Sequence, residues 1–152
     1  PGIQEAPPLQ LGSGSVDGLV GAAAGSASMR WSFEGAVTYK INSEADGFQF
    51  GNVLSYDLYA AYQVYPDWPT SGLSQLNFSL ELNGKTREEN EADGRDLSGT
   101  GGTVFFLSPG LQYIVSGNFL VETGVQLPIY EDLDSGQLEP DYNVLFGFRY
   151  LF

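Results

Sequence analysis

The chain has 152 residues, of which six are basic and nineteen are acidic, so its formal net charge is −13 at pH 7. It contains neither cysteine nor histidine, which excludes disulfides, Cys/His metal sites and Ser-His or Cys-His catalysis built from these residues alone. The negative charge also argues against nucleic-acid binding, because that function needs a basic surface.

Seven strands are predicted along the chain from an alternation of apolar and polar residues. The pattern is cleanest in "WSFEGAVTYKIN" (31–42), where a period of two gives the strand one apolar and one polar face. In chain order, the predicted strands span residues 15–27, 31–42, 53–65, 73–83, 103–116, 119–130 and 142–152. At roughly 10 to 13 residues they exceed the ~5–6 residues of an ordinary soluble strand and suit a tilted strand that crosses a membrane. The sequence therefore predicts an all-β, antiparallel transmembrane β-barrel built as a meander.

Two of these strands are less regular than the others. The strand at 15–27 is rich in small residues, so its two faces are hard to tell apart. The strand at 103–116 carries Pro109 and Gly110 in its middle. Because proline has no N–H for the ladder, we expect a β-bulge or a bend at Pro109.

Short and long connections alternate between the predicted strands. The short turns cover residues 25–30, 66–72 and 116–118. The longer loops cover residues 43–51, 84–102 and 131–141 and contain most of the acidic residues. Outer-membrane barrels have short periplasmic turns and longer extracellular loops, so the alternation favours such a barrel. We expect the loop acids to be solvated; the alternative, divalent cations that bridge them to anionic surface lipid, lacks the ligand spacing of an EF-hand.

Aromatic residues gather near the predicted strand ends. Trp31, Tyr62 and Tyr150 lie near the short turns, and Tyr130 and Tyr142 lie near the longer loops. Aromatic girdles of this kind are typical of the two membrane interfaces of a barrel. The alternative is a soluble β-sandwich in which the aromatic side chains fill a core.

The polar faces of the predicted strands give the candidate residues that would line a lumen. They are Glu34, Lys40, Asp57, Gln63, Asn77, Glu81, Glu122, Gln126 and Arg149. This set contains more acids than bases, which favours cations or neutral solutes over anions. Such side chains also fill many barrel interiors without forming a path, and for Glu122 and Arg149 an ion pair between adjacent strands is the plainer expectation.

The last strand carries a possible assembly signal, since it alternates up to a final phenylalanine. Gly147, Tyr150 and Phe152 resemble the C-terminal insertion signal of bacterial outer-membrane barrels, which implies the barrel assembly machinery as a partner. An exposed strand edge with an apolar face can be received by a machine that adds strands. The family pattern has a polar residue where this chain has Leu145.

A wider resemblance covers most of the chain. The segments "FFLSPGLQYIVSGNFLVETGVQLPIYEDLDSGQLEPDYNVLFGFRYLF" (105–152), "LGSGSVD" (11–17) and "FQFGNVLSYDL" (48–58) resemble the outer-membrane β-barrel family labelled for the MetA pathway of phenol degradation. The resemblance implies a transporter or channel in the bacterial outer membrane, with outer-membrane lipid and a small-molecule solute as partners. That family is longer at its N-terminus, so residues 1–152 are expected to form a single β-barrel domain that supplies about seven C-terminal strands of about 12.

The expected function is therefore a channel or transporter for small solutes, including aromatic or hydrophobic ones, without a cofactor, a metal site or an enzymatic activity. The alternative is a structural or surface-interaction barrel with a filled lumen and no transport. An outer-membrane lipid hydrolase or acyltransferase is disfavoured, because the Ser-His chemistry that such enzymes use requires a histidine.

Overall fold

The structure is a computed structural model, and it describes residues 14–67, 74–133 and 137–152. The start of the strand predicted at 73–83, and parts of the connections predicted at 66–72 and 131–141, lie outside the described residues. Within the described residues the strands are β1 (Gly18–Ala27), β2 (Trp31–Ile41), β3 (Phe48–Gln49), β4 (Val53–Tyr65), β5 (Gln75–Arg87), β6 (Asn90–Ala92), β7 (Arg95–Leu97), β8 (Gly102–Ser116), β9 (Phe119–Leu133) and β10 (Asn143–Tyr150). These residues contain no helix long and apolar enough to cross a membrane.

Seven of these strands form one antiparallel sheet. Its order is β1-β2-β4-β5-β8-β9-β10, so each long strand pairs with the next long strand along the chain. The all-β, antiparallel meander predicted from the sequence is thereby confirmed. β1 and β10 are the two edges of this sheet, and the described residues contain no pairing that closes it into a barrel.

The predicted strand boundaries hold at most ends, and β5 is the main exception. It continues past the predicted end at 83 to Arg87, which lies opposite Val53 of β4 and Gly102 of β8. Alternation continues through these last residues, because Lys85 and Arg87 share one face while Thr86 lies on the other. Residues 84–87, which were predicted to belong to a loop, are therefore paired with β4 on one side and β8 on the other.

The strand register divides the sheet into an apolar face and a polar face. Directly paired residues point to the same side. Phe33 lies opposite Ala60, and Ala60 lies opposite Leu80, which places all three on the apolar face. The polar face is the opposite side. It carries the row in which Glu34 lies opposite Tyr59 and Tyr59 lies opposite Glu81.

The apolar face lies open instead of forming a core. Among the described residues, Ala61 is the buried hydrophobic residue. On the apolar face, Leu58 is 59% exposed and Phe146 is 74% exposed. A water-soluble antiparallel sheet normally packs its apolar face against a second layer, and the described residues supply no such layer.

Aromatic side chains form two groups on the apolar face. Near the end of the sheet where β1 turns into β2, here called the turn end, the Trp31 ring lies 5.6 Å from the Phe33 ring and 4.7 Å from the Tyr62 ring. Nearer the opposite end, here called the loop end, the ring of Phe105 lies between two other rings. It is 5.3 Å from the Tyr56 ring and 5.7 Å from the Tyr130 ring.

The irregularity expected at Pro109 lies elsewhere. Leu107 pairs with Leu127 and Gly110 pairs with Gly124, so the register against β9 is the same on both sides of Pro109. The register shifts instead between Phe105 and Phe106, which pair with Tyr130 and Pro128. One missing N–H at Pro109 removes a ladder bond without adding a residue, whereas Ile129 is an additional residue in β9.

The small sheet β3-β6-β7 joins the two loops at the loop end. Its turns contain Asp46-Gly47 and Asp93-Gly94, and all four residues have positive φ, with values of 52° at Asp46 and 51° at Asp93. Positive φ at both central positions is typical of the type I′ turn that aspartate-glycine pairs favour. Phe48 pairs with Ala92 and thereby connects the loops.

Gly84 is required by a close contact on the apolar face. A Cβ atom at this position would lie 1.9 Å from the Tyr56 ring, while a Cβ atom at Gly117 would meet nothing within 4 Å. We expect Gly84→Ala to displace the Tyr56 ring and to lower the free energy of unfolding by about 1–3 kcal/mol. Gly117→Ala is the control, and urea unfolding in detergent micelles measures both. Equal stability of the two variants would contradict the contact.

Candidate functional site

All nine residues predicted to line a lumen lie on the polar face. The register places Glu34 and Glu81 on either side of Tyr59, and it places Gln63 opposite Asn77. The other members of the set follow from the same ladders: Lys40 on β2, Asp57 on β4, Glu122 and Gln126 on β9 and Arg149 on β10. The alternation in the sequence therefore identified which side chains share a side of the sheet.

A cavity of about 880 Å³ opens on this face. Its lining includes Glu34, Asp57, Tyr59 and Glu81 from β2, β4 and β5, and also Arg149 from β10. In a flat sheet of this order, β10 would lie about 29 Å from β1, since neighbouring strands are ~4.8 Å apart. An arginine side chain cannot bridge that distance. The sheet therefore curves so that its polar face is concave and its last strand approaches its first strands.

Asn83 holds two of the cavity carboxylates. Its side-chain amide donates to Asp57 Oδ1 at 2.7 Å and to Glu81 Oε1 at 3.0 Å. Hydrogen bonds from an amide to a carboxylate are charge-assisted and stronger than those between neutral groups. This arrangement keeps two negative charges close together on the concave face.

A second group of polar side chains crosses the sheet nearer the turn end. Asn77 donates to Gln112 at 3.2 Å, and Gln112 donates to Glu122 at 3.5 Å. On the outermost strand pair, Asn143 donates to Gln126 at 3.1 Å. These contacts link neighbouring strands, so the residues contribute to the wall of the sheet as well as to its surface.

Gln63 has a structural environment at the turn end. It is buried, and its side-chain amide donates to the Pro66 carbonyl at 2.9 Å. Arg30 donates to the Gln63 carbonyl through two nitrogens, at 3.0 and 2.8 Å, and its guanidinium lies 4.6 Å from the centre of the Tyr62 ring. In the structure, Gln63 holds this turn and does not line the 880 Å³ cavity.

The basic candidates differ in their partners. Lys40 pairs with Asp17 at 2.8 Å, and the hydrogen bond from Lys40 holds the pKa of Asp17 below its ordinary value. Arg149 does not form the expected ion pair with Glu122, because the ion pairs among the described residues join Lys40 to Asp17 and Arg30 to Asp67. Glu122 lies opposite Gly147, two residues along β10 from Arg149, and Arg149 reaches the acidic cavity instead.

Two basic residues on the polar face were missed by the sequence analysis. Lys85 and Arg87 lie on the same face as Glu81, at the loop end of β5. The signal was present, because the alternation continues through "NGKTR" after the predicted end of the strand. With Lys40, these residues put positive charge at the loop end, whereas Glu34, Asp57 and Glu81 put negative charge in the interior of the concave face.

The three residues of the predicted insertion signal lie on β10 or just after it. Gly147 is on the polar face opposite Glu122, and the Tyr150 ring lies 6.5 Å from the Phe119 ring. The predicted strand reaches Phe152, but β10 ends at Tyr150. The Leu151 N–H donates to the Asn118 carbonyl at 2.8 Å, and the Phe152 side chain is fully exposed.

Within the described parts of the loops, the acidic side chains are not grouped as a metal site requires. Among the residues that the structure describes, no group of three or more acidic side chains is placed to hold an ion. The loop-end sheet is instead tied by amides and backbone groups. Asn42 donates from its side chain to the Gly51 carbonyl at 2.7 Å, and the Gly51 N–H donates to Asn90 at 2.8 Å.

The fold and this face together define a class: an all-β protein made of one curved antiparallel meander, with an exposed apolar side and a polar concave side. The chain belongs to the family described as "Putative MetA-pathway of phenol degradation", which matches residues 5–132. The match ends within β9, so β10 and the residues of the predicted insertion signal lie outside it. Comparison with curated proteins gave no significant match, and comparison with solved structures gave none either.

Proposed function

We propose that the chain forms part of the wall of a β-barrel channel in a bacterial outer membrane. Small neutral or cationic solutes, aromatic ones among them, would cross through this channel. The observation that carries the proposal is a distribution of polarity inverse to that of a water-soluble protein. Large apolar side chains cover the exposed face, while the acids and amides occupy the concave face. Lipid is the surrounding that stabilises such an exposed face, and a polar interior is typical of outer-membrane barrels.

The strand lengths suit this surrounding. β4 and β5 each have 13 residues, which at ~3.3 Å per residue span about 43 Å along the strand. A tilt of ~40° reduces this to about 33 Å along the barrel axis, enough for an apolar band of ~25 Å and its two aromatic girdles. The aromatic groups around Trp31 and Phe105 lie on the apolar face, where girdles would be needed.

Closure of the barrel would require further strands. Seven antiparallel strands alternate in direction, so the edges β1 and β10 run the same way and cannot pair with each other in antiparallel fashion. An odd number of additional strands would join them and remove both edges. We therefore propose that these strands form part of a larger barrel.

The concave face supports a selective path more than a catalytic site. Two of its carboxylates, Asp57 and Glu81, are held by the Asn83 amide, and the hydrogen bonds of the described residues there form no nucleophile–base pair. Negative potential in a confined lumen would favour cations and neutral solutes over anions. The link to small aromatic solutes rests on the family description, which refers to phenol degradation.

A structural barrel without transport is the second candidate function. The hydrogen bonds among Asn77, Gln112 and Glu122 favour it, because networks of this kind stabilise filled barrel interiors. Conductance and solute uptake of the complete protein separate the two candidates.

The proposed membrane exposure predicts different effects at two adjacent residues. Val37 is on the apolar face and Thr38 is on the polar face. We expect Val37→Arg to destabilise the folded protein in phospholipid vesicles by about 2–4 kcal/mol, because it places a charge in the hydrocarbon. Thr38→Arg, its matched control, should cost less. Urea titrations followed by tryptophan fluorescence measure the difference, and equal costs would argue that neither face contacts lipid.

The proposed assembly signal is tested at the last residue. We expect Phe152→Asp to reduce the amount of protein in the outer membrane of Gram-negative cells while synthesis stays unchanged, because the assembly machinery would lose its terminal apolar contact. Leu151→Asp introduces the same charge one position earlier and should have a smaller effect. Quantitative blots of membrane fractions measure both, and normal membrane levels of Phe152→Asp would reject the signal.

The proposed selectivity is tested in the acidic cavity. We expect the triple variant Glu34→Gln, Asp57→Gln and Glu81→Gln to raise the permeability of anions relative to cations, because it removes the negative potential. The change should be largest at low salt, where screening is weak. Planar-bilayer recordings of the complete protein measure the ratio, and substitution of the loop acids Glu89, Glu91 and Asp96 by glutamine is the control. Absence of conductance and of any uptake difference in a deletion strain would leave the structural barrel as the better account.

A further inference from the structure

A smaller cavity lies at the loop end of the polar face. Its volume is about 200 Å³, and its lining includes Lys85, Arg87, Val104, Phe106 and Leu133. The register explains the composition, since Lys85 lies opposite Val104 and the neighbouring row contains Phe106. Two cationic side chains therefore stand beside an apolar wall that includes an aromatic ring, on a face that is otherwise mostly polar.

The two basic side chains of this cavity form no ion pair with an acidic side chain among the described residues. The ion pairs there join Lys40 to Asp17 and Arg30 to Asp67. Neither Lys85 nor Arg87 takes part in them, although the chain has nineteen acids and only six bases. Glu131 lies across Val104 from Lys85 in the ladder, but its carboxylate oxygens and the Lys85 nitrogen form no ion pair within 4 Å. Within residues 14–67, 74–133 and 137–152, Lys85 and Arg87 are therefore available to a bound anion.

We propose that this cavity binds a small monocarboxylate whose body is apolar and about the size of one ring. Arg87 provides the planar donor pair that matches a carboxylate, and Lys85 adds a second positive charge two residues away on the same face. Phe106, Val104 and Leu133 receive the apolar body. The volume lies below the roughly 300–1,000 Å³ of pockets for drug-sized molecules, which limits the ligand to a single small ring or a short chain.

This site goes beyond the proposed channel and is separate from its acidic cavity. Glu34, Asp57 and Glu81 lie deeper on the concave face and repel a carboxylate. A bound carboxylate is therefore held at the loop end and is not drawn inward. Binding requires the folded sheet and its loops, but it does not require conductance.

The test uses the complete protein folded in detergent micelles, with benzoate as the probe and acetate, benzyl alcohol and benzylamine as comparisons. Titration calorimetry and NMR saturation transfer measure binding. We expect benzoate to bind more tightly than the other three, because only benzoate combines a carboxylate with a ring. Arg87→Gln should weaken benzoate binding by roughly tenfold or more, since it removes a charge-assisted pair of hydrogen bonds.

Matched variants distinguish binding in this cavity from nonspecific electrostatic attraction of benzoate to basic residues. Arg95→Gln makes the same substitution on β7, outside the cavity, and should leave benzoate binding within about twofold of the unchanged protein. Phe106→Leu should weaken benzoate binding several-fold while leaving the weak binding of acetate unchanged. Circular dichroism and heat-dependent gel mobility confirm that each variant is folded.

Equal benzoate affinity in Arg87→Gln and Arg95→Gln would overturn the site. Equal affinity of the unchanged protein for benzoate and benzyl alcohol would overturn it as well. The unchanged protein also provides a test without mutation, because saturation transfer between the ring protons of benzoate and the Phe106 ring is expected, and its absence counts against the site. Benzoate binding without conductance would reject the channel and leave this site intact. Conductance without benzoate binding would reject this site and leave the channel intact.

Discussion

The constraint on which the rest of the structure depends is that a single sheet leaves its apolar side uncovered. Burying apolar surface stabilises a fold by about 25 cal/mol per Å², yet the described residues bury only one hydrophobic side chain, Ala61. The stabilising surface of this protein is therefore an outer one, formed by side chains such as Leu58 and Phe146. In the proposed membrane setting, a lipid bilayer would satisfy that constraint without a second protein layer.

The same constraint gives the polar residues their positions. When the apolar residues of a period-two strand face outward, the polar residues have to face inward. The curvature of the sheet then brings the polar residues of distant strands close together. Arg149 of the last strand thereby reaches a cavity that Glu34, Asp57 and Glu81 also line. Like charges placed so close are tolerated because the Asn83 amide bridges Asp57 and Glu81 and because the cavity is open to water. Among the described residues, the polar face therefore contains some carboxylates held by hydrogen bonds and others without such partners.

Charge on the inner face is also sorted along the strands. Lys40, Lys85 and Arg87 stand at the loop end together with Glu131, and the carboxylates of Glu34, Asp57 and Glu81 stand further along the concave side. Lys40 is neutralised by Asp17 at 2.8 Å, while Lys85 and Arg87 adjoin a small apolar cavity. In a chain with a net charge of −13, this local positive region is set against the overall charge. It is formed by two residues that share a face because they are two positions apart on one strand.

The sequence by itself determined the seven long strands and, where the alternation is clear, their two faces, because alternation with a period of two is a local property of the chain. It therefore identified Glu34, Asp57, Glu81 and Arg149 as residues of one side. It did not determine which of them meet, since contact depends on register and curvature, and these arise from pairing between strands distant in the chain. The expected Glu122–Arg149 pair and the shift expected at Pro109 failed for this reason, whereas β5 was predicted to end before Lys85 although the alternation in the sequence continues to Arg87. Only the tertiary structure decided that Arg149 approaches the acids of β2 to β5, because only the folded sheet brings its seventh strand toward its first.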